Sequence, residues 1–162
     1  MKYTLEELTH LINTKILKTE SPYTCLTPQN DEKHAWVRDN LYILHSTFSL
    51  HQAYKNRAQI HQDNQNDKFL ASKYSRITAK GMRSILTAYS KQVARLELRK
   101  SAKRSDDFEN CQLHVKFHFE SLEPVETDEY SHFQLDVVAL YLLTLAQFTS
   151  AGLEIVYSLI LR

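Results

Sequence analysis

The sequence has very little glycine and proline. Only two of its 162 residues are glycine, Gly81 and Gly152, and only three are proline. A β-sandwich or an α/β protein needs many residues of these two types, because its tight turns require positive or fixed φ angles. The shortage therefore favours a mainly helical protein.

The chain also has no excess of charge of either sign. Lys and Arg total 20 against 19 Asp and Glu, a net charge of +1, which gives no electrostatic reason to expect a nucleic acid as a partner. The two cysteines, Cys25 and Cys111, have no companions at metal-binding or redox spacing and fit reduced thiols in a cytosolic protein. Because no Gly-rich phosphate loop follows a strand, no cofactor is expected.

Long apolar runs are missing too. None reaches the roughly 18–20 residues that span a bilayer, and the acidic N-terminus does not resemble a signal peptide. We therefore expect a cytoplasmic protein with no direct membrane insertion. The length suits a single domain.

Apolar spacing predicts a series of helices. Thr4 and Glu7 form a capping box ahead of apolar residues spaced three and four apart, which predicts a helix over 4–18. Similar spacing predicts helices from Asp39 or Asn40 to Tyr54, over 68–99 and over 133–147. Ser150 is a candidate N-cap for a last helix. The buried stripe of that helix would consist of Leu153, Val156, Tyr157 and Ile160.

Two polar segments and one alternating segment interrupt the helices. Residues 56–67 are polar and short of apolar anchors, and residues 100–112 are of mixed charge, so both segments are expected to be flexible loops. In the segment 113–119, apolar residues alternate with His114, Lys116 and His118, which predicts one half-buried strand. A zinc site at the two histidines is disfavoured, because Lys116 lies between them and residues four apart on a strand are about 13 Å apart.

Two groups of residues have the chemistry of a sugar pocket. Trp36, Arg38 and Asp39 precede one predicted helix, and Gln134 and Asp136 begin another. An indole face stacks on a sugar ring, and Arg and carboxylate groups supply the donors and acceptors that vicinal hydroxyls need. The alternative is structural, with Asp39 as an N-cap and Asp136 as an acid that interacts favourably with the helix dipole.

Two segments resemble a known family. HAWVRDNLYILHSTFSLHQAYKN (34–56) and HFQLDVVALYLLTLAQFTSAGLEIVYSL (132–159) closely resemble two blocks of the glucoamylase-like domain, glycoside hydrolase family 15, of phosphorylase kinase alpha and beta regulatory subunits. SPYTCLTP (21–28) is a weaker match. The resemblance implies a mainly α fold, a partial (α/α)6 barrel of glucoamylase type with one short β excursion. Residues 1–162 would form the N-terminal portion of that domain.

The resemblance also implies roles for site residues. In sugar-cleaving family members, the Arg-Asp pair matching Arg38 and Asp39 holds the terminal glucose, and the position matching Asp136 lies near the same pocket. Cleavage in that family is inverting and needs two carboxyl groups roughly 6.5–9.5 Å apart. Both family glutamates that supply them fall beyond the end of this chain, so no catalytic residue is expected. The chain departs from the family pattern at Cys25 and at 130–131, so the resemblance does not imply the family's local turn or its aromatic pocket wall.

By resemblance, the function would be that of a non-catalytic regulatory subunit of phosphorylase kinase in glycogen metabolism. Its partners would be the kinase catalytic subunit and calmodulin, with an α-1,4-glucan as a further candidate ligand. The basic stretch 91–103 is a candidate calmodulin target, with an ordinary surface helix as the alternative.

Two alternative functions remain open. The chain could be the N-terminal part of a glucan-hydrolysing family 15 glycosidase. It could also be a truncated product without independent function, in which Leu153, Val156 and Ile160 would leave an uncovered apolar patch.

Overall fold

The computed structural model describes residues 3–17, 34–61, 64–101, 112–125 and 134–156. Over these ranges the chain is mainly helical, as expected from its composition. The elements are α1 (Leu5–Leu11), β1 (His34–Trp36), α2 (Val37–Ile60), α3 (Gln65–Ser90), α4 (Val93–Ser101), β2 (Lys116–His118) and α5 (Leu135–Ser150). The predictions for Cys25, Cys111, 130–131, Tyr157 and Ile160 lie outside the described residues, as does nearly all of the loop predicted over 100–112.

Helix α1 begins as its capping box predicts. The Thr4 N–H donates to Glu7 Oε2 at 2.7 Å, and the Glu7 N–H donates to Thr4 Oγ1 at 3.2 Å. A π-helical turn, Ile12–Ile16, continues α1. Ile12 then packs with Leu50, Tyr54 and other buried residues of α2 and α3.

Helices α2 and α3 form the central hairpin, and they correct the prediction of a flexible loop over 56–67. Helix α2 runs to Ile60, and α3 begins at Gln65 with Asn64 as its N-cap. The polar residues of this segment are held by specific bonds, because Arg57 donates to both carboxylate oxygens of Asp67. Asn64 Oδ1 accepts from the Asp67 N–H at 3.1 Å. The low apolar content of this segment therefore does not predict a loop, because the ion pair between Arg57 and Asp67 holds the ends of the two helices together.

The helix predicted over 68–99 is two helices, separated at Lys91 and Gln92. Lys91 Nζ donates to the Ser121 carbonyl at 2.9 Å and pairs with Glu123. The buried Gln92 side chain accepts from the His114 N–H at 2.7 Å. The break between α3 and α4 is therefore in contact with the segment around β2.

The two strands form a short antiparallel sheet, with Ala35 paired to Phe117 and Trp36 paired to Lys116. The predicted strand is confirmed only over Lys116–His118, and its partner β1 was not predicted. Phe117 is buried as the alternation requires. His114 departs from the alternation, because it is also buried and its Nδ1 donates to the Val125 carbonyl at 3.1 Å.

Helix α5 ends differently from the prediction. Ser150 is its last residue and not the N-cap of another helix. Gly152 has φ +92°, its N–H donates to the Thr149 carbonyl, and the Leu153 N–H donates to the Phe148 carbonyl. These bonds form a Schellman motif, for which glycine is the preferred residue because it adopts a positive φ without strain.

The segment after α5 folds back onto the main core. Leu153 and Ile155 are buried there, and Val156 is partly buried against the same cluster. The prediction of an uncovered apolar patch is therefore wrong for Leu153 and Val156. The same core contains Phe48 and Phe148, whose ring centroids are 4.3 Å apart, so it joins α2 to α5.

Candidate functional site

The candidate site begins where β1 passes directly into α2. Trp36 is the last strand residue, and α2 begins at Val37, two to three residues earlier than predicted. The Val37 N–H donates to the Val115 carbonyl at 3.0 Å, and Asn40 Nδ2 donates to the Trp36 carbonyl at 2.9 Å. These bonds fix the backbone on both sides of Trp36.

Arg38 lies in the first turn of α2 and contacts the start of α5. Its Nη2 donates to Gln134 Oε1 at 2.8 Å and to Asp136 Oδ2 at 2.6 Å. Gln134 immediately precedes α5 in an extended conformation, and Asp136 lies in the first turn. Arg38, Gln134 and Asp136 are thus brought together from two distant parts of the sequence.

Asp39 also lies in the first turn of α2, where its charge favours the positive end of the helix dipole. It is not the N-cap, because that position is occupied by Trp36. Asp39 is half-buried and next to Arg38 in sequence. Asp39 is therefore next to Arg38 along α2 and is not one of the residues that Arg38 bonds.

The ion pair of the site is accessible to solvent. The side chain of Arg38 is 42% exposed and that of Asp136 is 68% exposed. An exposed pair of this kind contributes at most about 1 kcal/mol to stability. Arg38 can therefore be changed to test binding without a large effect on the fold.

Two residues beside the site were not selected from the sequence. Lys116 Nζ lies 5.2 Å from the centroid of the Trp36 ring, in a cation–π arrangement across the sheet. Asn40 is buried and holds the Trp36 carbonyl. The alternation around Lys116 identified its strand face, but the partner strand had to be known before Lys116 could be assigned to Trp36.

The described residues contain no group of three or more His, Cys, Asp or Glu that could hold a metal ion. His118 instead packs its ring edge-on against His34, with centroids 4.9 Å apart. Among the described helices, none combines the length and apolar character needed to cross a membrane. The side chains of the candidate site supply an indole, a guanidinium, an amide and carboxylate groups.

A mainly helical scaffold with these two motifs at the starts of α2 and α5 is consistent with a glucoamylase-like domain. A sequence profile of glycosyl hydrolases family 15 matches residues 6–160. The chain belongs to this family, and the resemblance found in the sequence is confirmed.

Phosphorylase kinase regulatory subunits are similar to almost the whole chain. The phosphorylase b kinase regulatory subunit alpha, skeletal muscle isoform, of Oryctolagus cuniculus is 35% identical over 157 residues, which is 96% of this chain. A probable alpha subunit of Drosophila melanogaster is 36% identical over the same length, and a probable beta subunit of that organism is 34% identical over 151 residues. The chain spans only 12–13% of the length of these relatives.

Proposed function

We propose that the chain acts within a non-catalytic regulatory subunit of phosphorylase kinase in glycogen metabolism, and that its family 15 pocket binds an α-1,4-glucan end. The regulatory role is supported by the names of the relatives, which are regulatory subunits of phosphorylase b kinase. The proposed sugar-binding residues are Trp36, Arg38, Asp39, Gln134 and Asp136.

One observation carries the sugar-binding proposal. Arg38 bridges Gln134 and Asp136, so a guanidinium, an amide and a carboxylate occur together, two residues after the indole of Trp36 in the sequence. Both bonds leave from Nη2, and a guanidinium has five N–H donors in a planar fork. Nη1 and Nε therefore carry the donors proposed to meet the sugar hydroxyls, while one face of Trp36 stacks on the ring.

Trp36 makes the sugar-binding proposal directly testable. It is the only tryptophan of the chain, so the intrinsic tryptophan fluorescence comes from the proposed pocket. Titration with maltoheptaose should change the Trp36 emission with saturation, and cellohexaose should not. The ligand should also raise Tm, because binding to the folded state alone stabilises it.

Arg38→Ala tests whether the titration reports on the proposed pocket. It should weaken maltoheptaose binding by at least about tenfold, since it removes charge-assisted donors. The circular dichroism melt of the variant without sugar should stay close to that of the unchanged chain. An unchanged fluorescence titration in the Arg38→Ala variant would reject the pocket.

The alternatives make different predictions in the same assay. A glucan-hydrolysing glycosidase would release glucose from maltoheptaose once the complete family domain is expressed, whereas a regulatory domain would bind without release. A product without independent function would give a broad melt that maltoheptaose does not move. We propose binding without glucose release.

The proposed partners are the kinase catalytic subunit and calmodulin, and the proposed location is the cytoplasm. For calmodulin, the supporting observation is helix α4, whose Val93, Leu96 and Leu98 side chains are exposed. Basic residues are interleaved with these apolar residues, as in helices that calmodulin takes into its groove. Helix α4 is therefore the segment proposed to contact it.

Calmodulin binding can be tested by titrating the chain into dansyl-labelled calmodulin with calcium and then with EGTA. Binding should require calcium and should be lost in Leu96→Glu/Leu98→Glu. The matched control is Leu142→Glu/Leu143→Glu, which changes two exposed leucines of α5 instead. If both variants lost binding equally, the interaction would be nonspecific hydrophobic association, and the proposal that α4 binds calmodulin would be rejected.

A further inference from the structure

An open cleft lies along one face of α3. It has a volume of about 480 Å³ and is bounded by α3 from Ser75 to Arg83, and by Gly152 and Glu154 after α5. None of the five residues proposed for the sugar pocket lines it. Its size falls in the range of small-molecule sites.

Cations dominate the α3 side of the cleft. Arg76, Lys80 and Arg83 follow each other at spacings of four and three, so they share one face of the helix with about 5–6 Å between neighbouring Cβ atoms. Among the lining residues that the structure describes, Glu154 is the only acid. The chain as a whole has a net charge of only +1, so this positive surface is a local feature.

The far wall of the cleft is held in place. Arg83 Nε donates to the Ile155 carbonyl at 3.0 Å, and its Nη2 donates to the Glu154 carbonyl. These bonds tie the segment after α5 to α3. The Schellman turn at Gly152 therefore stays at a fixed position opposite Arg76 and Lys80.

The uncharged residues that line the cleft have small side chains or none. A Cβ built on Gly152 meets no atom within 4 Å, so open space lies next to its backbone. Ala79 lies in the lining between Arg76 and Lys80 in sequence, and Ser75 adds a hydroxyl that can donate a hydrogen bond. A charged oxygen-rich group can thus approach the cations without displacing a large side chain.

We propose that this cleft binds a phosphoryl group, either as inorganic phosphate or as the phosphate of a small organic monoester. Arg76 supplies the planar fork that matches phosphate oxygens, Lys80 supplies a compact charge, and Ser75 donates to a third oxygen. Arg83 adds positive charge while it holds the wall. The site is independent of the sugar pocket and of any kinase partner.

Isothermal titration calorimetry of the 162-residue chain tests the site with three probes: inorganic phosphate, glycerol 3-phosphate and glycerol. The two phosphates should give saturable heats that weaken at high salt, and glycerol should give none. Equal affinity for the two phosphates assigns the site to inorganic phosphate. At least about tenfold tighter binding of glycerol 3-phosphate assigns it to an organic monoester.

Arg76→Gln/Lys80→Gln should weaken binding of both phosphates by at least about tenfold. Lys68→Gln changes an exposed cation of the same helix outside the cleft and should have no effect. Arg38→Ala should bind phosphate normally, and Arg76→Gln/Lys80→Gln should bind maltoheptaose normally, which separates this site from the sugar pocket. Absence of heat with both phosphates, or equal binding by the cleft variant and Lys68→Gln, would overturn the proposal.

Discussion

Arg57 of α2 holds Asp67 of α3 through two hydrogen bonds, each 2.7 Å long. The Asp67 side chain is 0% exposed, and Arg57 also contacts the exposed Glu6 of α1 at 2.5 Å. One guanidinium therefore joins three helices. The buried bond matters most, because an unpaired carboxylate without water is costly to the folded state.

Removal of the Arg57 charge should destabilise the chain far more than removal of its exposed partner. Arg57→Met leaves the Asp67 carboxylate buried without a cation, whereas Glu6→Gln removes only a screened surface contact. We expect a clear fall of Tm in Arg57→Met and almost none in Glu6→Gln, measured by circular dichroism. Equal Tm values for the two variants would contradict the importance of burial here.

Asp67 should also make the fold sensitive to acid. The hydrogen bonds from Arg57 hold the pKa of the Asp67 carboxyl below its ordinary value of 3.8. Its contribution to stability is therefore fully present above the unfolded pKa and is lost as the pH falls through the lower folded pKa. Urea melts of the unchanged chain and Asp67→Asn at several pH values below about 5 should show a shallower acid loss in the variant. Parallel curves would exclude this role.

Gly81 permits close contact between α2 and α3. A Cβ at this position would lie 2.5 Å from Leu44 Cδ2 and 3.1 Å from its Cδ1. Gly81→Ala should therefore destabilise the chain by about 1–3 kcal/mol, despite the higher helix propensity of alanine. In a double-mutant cycle with Leu44→Ala, which removes the clash, the Gly81→Ala change should become neutral or stabilising. The same cost in both backgrounds would argue against the contact.

Helix α5 has one face in the core and one face exposed. Phe148 is 0% exposed and packs against Phe48, whereas Leu143 is 69% exposed. Phe148→Ala should cost about 3–5 kcal/mol in chemical unfolding. Leu143→Ala should change stability by no more than about 0.5 kcal/mol. A large loss from Leu143→Ala would mean that this face is covered in solution.

His45 adds a second pH dependence, close to neutrality. Its Nε2 lies 3.0 Å from Thr144 Oγ1, and burial lowers its pKa below the ordinary 6.5. The stability linked to neutral His45 is present above pH 6.5 and is lost as the pH falls through the lower folded pKa. When the pH is lowered from about 7.5 to about 5.5, the Tm of the unchanged chain should fall by more than the Tm of His45→Gln. The comparison with the variant removes the contribution of the other histidines.

Local signals in the sequence predicted the local structure well. The capping box at Thr4 and Glu7 sets the start of α1, and the low glycine content agrees with the helical fold. Gly152 was visible in the sequence but was missed as a helix end, since Ser150 offered a competing N-cap. The polar segment 56–67 was misjudged because its order depends on Arg57 and Asp67, which propensity alone does not pair.

The candidate site was only partly accessible from the sequence. The starts of α2 and α5 were recognised separately, but the bond from Arg38 to Asp136 depends on how the two helices pack. Lys116 was missed for the same reason, because its place beside Trp36 follows from the register of a sheet with an unpredicted strand. Apolar periodicity predicts single helices and strands, but it does not predict which distant segments contact each other.

The bond between Arg38 and Asp136 joins residues 98 positions apart. Closing such a separation costs chain entropy, whereas the α2–α3 hairpin can form from contacts close in sequence. We therefore expect the site to form only after the hairpin, the sheet and α5 have assembled. On this expectation the Arg38–Asp136 contact forms late, and a chain stalled at the hairpin stage would have most of its helices and no pocket.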